Sequence, residues 1–145
     1  MLQALAVLPA ALEAGFTSLP SQASATPPQI RDAVVDLVAR DQMPQAYSLV
    51  SDGLRQHNDS QELLSVAALI CEARQDWTRA SIYLERLVRL QGSRVTAEVL
   101  CHWIRVLRCQ GSIERAVKLA GNAQKIYPEH EMLRSEKETL DSIIA

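Results

Sequence analysis

The chain has 145 residues, 48% hydrophobic but only 4% aromatic, with a formal net charge of −2. That length suits one domain, and an apolar set dominated by Ala and Leu favours closely packed helices over strands built from β-branched and aromatic residues. The slightly acidic balance lacks the basic footprint of a nucleic-acid binder, and no apolar stretch is long and clean enough to span a bilayer.

Residues 1–19 (MLQALAVLPAALEAGFTSL) are nearly all apolar, and Ala23-Ser24-Ala25 has the form of a signal-peptidase site. Two features oppose a secretory signal: no Lys or Arg precedes Arg31, and Glu13 interrupts the apolar run. The favoured reading of residues 1–26 is a short helix from Leu2 to Ala14, with Pro9 inside it, followed by a Ser/Pro/Ala-rich linker. Export is therefore the minor alternative to a cytoplasmic location. The cysteines, Cys71, Cys101 and Cys109, are odd in number and form no CxxC pair, which argues against a disulfide framework or a zinc site. They read as reduced, small core residues.

From Pro28 onward, helical patterns alternate with short breakers. The helices are predicted at about 28–39, 44–56, 60–74, 78–90, 94–109, 112–126 and 130–143. Similar lengths and short loops describe antiparallel helix pairs. Ala46, Ala80 and Ala116 each stand near the start of the second helix of a pair, 34 and 36 residues apart. A small side chain is needed there because the two helices cross at close range. Trp103 reads as core between neighbouring pairs, and Trp77 as a residue that staples a turn or contacts a partner.

This period and these alanines resemble tetratricopeptide repeats. Ile30, Leu64 and Leu100 fall on the large first-helix position of that family, and Val50, Leu84 and Ala120 on the large apolar position of the second helix. Gly53, Leu87 and Ala123 fall on a second small position, where Leu87 departs, and Pro128 supplies one closing proline. The resemblance implies an all-α solenoid of antiparallel helix pairs wound as a right-handed superhelix. Three repeats (about 27–60, 61–94 and 97–130) would be followed by a polar capping helix over 131–145.

The resemblance also implies a non-enzymatic protein-binding module with a concave groove lined by first helices. The residues mapped to that groove are Arg31, Val35 and Val38; Glu62, Ser65, Leu69 and Glu72; and Glu98, Cys101, Arg105 and Arg108. Residues 101, 105 and 108 share one helix face. Its arginines suit a carboxylate-bearing ligand, or salt bridges to Glu72 or Glu98. The carboxylate clamp of chaperone-binding members is not reproduced: its positions read Arg31, Val35, Val66, Glu98 and His102.

Catalysis is not expected. His57, His102 and His130 are far apart in the pattern, Cys101 and His102 are sequence neighbours that cannot face each other on a helix, and no phosphate loop or metal motif occurs. No cofactor and no metal are expected. The expected partner is a protein segment, an extended peptide or an amphipathic helix, and neither nucleic acid nor a membrane is expected. Small size, mild acidity and an apolar groove centre also resemble the chaperones of bacterial secretion needle subunits. The alternative is self-assembly into a homo-oligomer through the N-terminal helix or the solenoid ends.

Overall fold

The computed structural model describes residues 25–145; the expectations for residues 1–24, the helix from Leu2 to Ala14 included, lie outside them. The described chain forms seven α-helices: α1 (Pro27–Ala39), α2 (Met43–Gln56), α3 (Gln61–Ala73), α4 (Trp77–Gln91), α5 (Ala97–Gln110), α6 (Ile113–Ile126) and α7 (Glu131–Ile144). There is no strand among the described residues. The fifth helix departs most from its predicted start. Gly92, at φ 55°, opens a single 3-10 turn (Gly92–Arg94) that takes up the two extra residues of the third repeat, and Thr96 then caps α5.

The first helix of each pair starts and stops by local devices that recur at the repeat spacing. The hydroxyls of Thr26, Ser60 and Thr96 accept the backbone N–H of the residue three further on and so satisfy an orphan donor at the start of α1, α3 and α5. In α1, Gln29 reaches back to the Thr26 N–H at 2.9 Å and completes a capping box. The same helices end in one type of turn. Asp41, Gln75 and Gly111 take φ of 60°, 59° and 90°, and the next N–H bonds five residues back: Gln42 to Leu37, Asp76 to Cys71, Ser112 to Leu107. This left-handed closure satisfies the last carbonyls and reverses the chain.

The described chain divides into two compact units, with the division inside α3, between Leu63 and Leu64. In the first unit α1 packs on α2, where Ala46 is fully buried. Gly53 allows the closest approach: a Cβ there would lie 3.0 Å from Ile30 Cγ2 and 3.2 Å from Leu63 Cδ1. The His57 ring, through Nε2, bonds the Ala25 carbonyl at 2.9 Å.

In the second unit the core runs through Leu100, Cys101, Ile104 and Leu107 of α5, Ala116, Ala120 and Ala123 of α6, and Leu133 and Leu140 of α7. Ala80 and Ala116 are fully buried, as close helix crossing requires. Trp103 lies at the edge of this core, its Nε1–H donating to buried Ser81 Oγ at 3.4 Å. Trp77 is half-buried at the first residue of α4. Tyr127 donates its hydroxyl to the Val95 carbonyl. Seventy residues earlier in the sequence, His57 and Ala25 make the corresponding bond, so two side chains of different chemistry fasten the end of a second helix to the residue just before the first helix's cap.

Two helix faces are polar where their equivalents are apolar. The buried Leu63, Ala67 and Ile70 of α3 correspond to Gln29, Ala33 and Asp36 of α1, with Asp36 paired to Arg40 at 3.0 Å. Leu100, Cys101, Ile104 and Leu107 of α5 correspond to Arg134, Ser135, Glu138 and Asp141 of α7, all exposed. At these positions α1 and α7 carry mostly polar side chains where α3 and α5 carry apolar ones.

Candidate functional site

The residues mapped to the groove fall on first helices, and each unit presents its own set. In the first unit Arg31 bonds Asp32 at 3.0 Å and also Glu62. The hydrogen bond to Asp32, then the Glu62 charge, raise the guanidinium further above neutrality. Val35 is 54% exposed on α1, and Val38 is half-buried one turn on.

In the second unit α3, α5 and α7 are joined by two rungs of opposite sign. Glu72 of α3 pairs with His102 Nδ1 of α5 at 3.1 Å. Arg108 of α5 pairs with Glu136 of α7 at 3.3 Å, and Arg105 reaches the other Glu136 oxygen at 3.8 Å. Positions 72 and 108 are equivalent in the repeat, as are 102 and 136, so the acid and the base have changed places from one rung to the next. The arginines suited a carboxylate-bearing ligand, or salt bridges to Glu72 or Glu98; the carboxylate that both meet is Glu136, because α7 packs against α5. Glu98 turns to His130 Nε2 at 3.5 Å; its own backbone N–H, then His130, hold its carboxyl below the ordinary carboxylate range.

One mapped residue is not on this surface. Cys101 is fully buried in the core with Leu133 and Leu140 of α7, which cover the side of α5 that the repeat mapping left open. Ser65 and Glu72 are half-buried, Leu69 is 52% exposed, and Arg105 and Arg108 keep partial exposure beside Glu136.

The expectation that all three cysteines are core residues holds for two. Cys109 is exposed near the end of α5, past the last inward position, Leu107. Burial, then the Asp76 charge, push the Cys71 thiol up to about 11, and burial, then Glu136, push Cys101 to about 11. Thiols so protected are poor nucleophiles at neutral pH. The three histidines go to three separate partners: the Ala25 carbonyl, Glu72 and Glu98. The arrangement offers paired charges and isolated aliphatic side chains, suited to contact with another protein.

The devices that the sequence reading missed are the hydroxyl caps at 26, 60 and 96. Their 34- and 36-residue spacing repeats that of the alanines and was open to inspection. Glu136 gave no such signal, since only the packing of α7 brings it to Arg105 and Arg108.

Family profiles and curated sequences yield no match to the chain. Among solved structures, it is similar to the second TPR domain of human RPAP3, determined by NMR in complex with the HSP70 peptide SGPTIEEVD. The TM-score is 0.67 at 12% sequence identity, over 77% of this chain and 92% of that domain. With this likeness and the recurring helix pairs, the chain has the tetratricopeptide fold, a helical solenoid, here of three helix pairs followed by a seventh helix.

Proposed function

We propose that the chain is a non-enzymatic protein-interaction module, an adaptor or chaperone-like scaffold, that takes a partner segment on its first helices. The observation that carries this reading is Leu69, 52% exposed on α3 one turn from the Glu72–His102 pair. A large aliphatic side chain left in solvent among paired charges matches the anchor-and-rim pattern of protein interfaces. Val35 and Val38 on α1 supply a comparable apolar element in the first unit. Such anchors favour the apolar side of an amphipathic helix, in keeping with a secretion or assembly chaperone that shields an aggregation-prone subunit.

The RPAP3 domain holds a peptide with two glutamates and a terminal aspartate. For this chain a different ligand is proposed. Arg105 and Arg108 already share Glu136, and His102 is engaged by Glu72. The peptide SGPTIEEVD should therefore show no saturable binding by fluorescence polarisation.

The test is affinity capture from the native host with wild type, Leu69→Asp and Val35→Asp, read by mass spectrometry and circular dichroism. A protein retained by wild type and lost from a folded Leu69→Asp variant supports the reading. Capture that is indifferent to both substitutions refutes it. The alternative, self-assembly through the ends, would use Met132, Ile143 and Ile144, exposed on α7; analytical ultracentrifugation distinguishes it, a monomer favouring the adaptor reading.

A further inference from the structure

The second helices of the second unit carry a charge pattern hidden by the net charge. The segments 76–94 and 113–126 hold seven Lys and Arg against three acids, in a chain whose net charge is −2. Helical periodicity brings the cations within each helix to one side of it. On α4 the exposed side carries Arg79, Ile82 and Arg89, with Arg79 paired to Asp76 at 2.9 Å and Arg89 to Glu85 at 2.6 Å. On α6, 36 residues on, it carries Arg115, Lys118 and Lys125. Leu90 and Ile126 occupy matching positions at the two helix ends. The two faces meet through one ion pair, Arg115 of α6 with Glu85 of α4 at 4.0 Å. Ile82, Leu90 and Ile126 are 52%, 39% and 60% exposed between these cations. On α2 the corresponding residues are Gln45, Ser48, Arg55 and Gln56, a single cation, so the pattern belongs to the second unit.

We propose that the exposed face of α4 and α6 docks on an anionic lipid bilayer, with Ile82, Leu90 and Ile126 entering the headgroup layer and the Lys and Arg side chains meeting lipid phosphates and carboxylates. Charge selects this occupant: cations outnumber acids on this face, which calls for an anionic surface, and the aliphatic residues between them call for one with an apolar layer beneath its charge. A fluid anionic surface conforms to such a face without shape complementarity. The chain would lie on the membrane, since among the described residues no helix is long and apolar enough to cross one. The expectation of no membrane partner rested on the lack of a spanning segment, which does not bear on a basic helix face.

The test is co-sedimentation of the full chain with vesicles of phosphatidylcholine alone, and with vesicles in which about one-third of the lipid is phosphatidylserine. Binding is expected to the anionic vesicles only and to weaken as salt rises. Lys118→Glu/Lys125→Glu should bind at least about tenfold more weakly at unchanged helicity, and Lys118→Gln/Lys125→Gln should lose less. Ile126→Ser should weaken binding without altering its salt dependence. Equal binding to both vesicle types, or binding that survives the charge reversal, would overturn the proposal and point to the apolar residues 1–24. Binding to polyglutamate with none to vesicles would overturn it in favour of an acidic protein partner.

Discussion

Gln75 and Gly111 occupy the same turn in successive repeats, which allows one backbone constraint to be tested in both directions. Both have positive φ, 59° and 90°, and both close the same left-handed helix end. A residue with a Cβ loses about 1–2 kcal/mol in that conformation, whereas glycine does not. Glycine in turn gives the unfolded chain extra freedom, worth about 0.4–1 kcal/mol. The first effect is the larger. Gln75→Gly should therefore stabilise the protein by about 0.5–1 kcal/mol, and Gly111→Ala should destabilise it by a similar amount. Packing does not confuse the comparison at position 111, where an added Cβ would meet nothing within 4 Å. Urea denaturation followed by far-ultraviolet circular dichroism measures both shifts. Two shifts of the same sign, or a neutral Gly111→Ala, would refute the strain argument.

Other substitutions probe the packing and the thiols. Gly53→Ala gains about 1 kcal/mol of helix propensity, but overpacking costs about 1–3 kcal/mol. Because Ile30 Cγ2, 3.0 Å from the new atom, is fixed to a branched β-carbon, a net loss near 1 kcal/mol is expected in chemical denaturation. Tyr127→Phe leaves the buried Val95 residue's carbonyl without its donor and should cost about 1–2 kcal/mol in the same assay, with helix content unchanged. Native protein at pH 8 should react with Ellman's reagent at Cys109 alone, and at all three cysteines once unfolded, because Cys71 and Cys101 are buried. These two thiols also set an alkaline limit. Their folded values, about 11, lie above the ordinary 9.0, so the unfolded chain loses protons first. Their stabilisation is complete below pH 9 and is lost as pH rises through about 11.

How much of this was legible in the sequence depended on the range of the interaction. Ala46, Ala80 and Ala116 marked the helix crossings, because a small residue at a fixed period has few other causes. The breakers near residues 41, 75 and 111 marked the turns for the same reason, although only Gly111 advertised its left-handed backbone. Cys101 was misplaced because helical periodicity gives a face without saying what covers it. The covering element is α7, whose Leu133 and Leu140 have no sequence relation to position 101. Helical spacing put Arg105 and Arg108 on one face of α5 but could not name the acid that both reach. Among several glutamates at compatible spacing, only the docking of α7 selects Glu136.

That pairing changes what charge reversal at Arg105 and Arg108 would report. The double reversal would set two new carboxylates against Glu136 and test the attachment of α7 before it tested any ligand. On the first helices of the second unit the charged residues are largely engaged: Glu72 by His102, and Arg105 and Arg108 by Glu136. On the second helices Glu85 is shared by Arg89 and Arg115, while the exposed Lys118 and Lys125 have no carboxylate within salt-bridge distance among the described residues. Long-range attraction to an anionic surface therefore belongs to α4 and α6, and short-range apolar contact to the first helices. If both assignments hold, Leu69→Asp should abolish capture of the protein partner and leave vesicle binding intact. Lys118→Glu/Lys125→Glu should do the reverse. Loss of both activities in either variant would mean that the two faces are not independent.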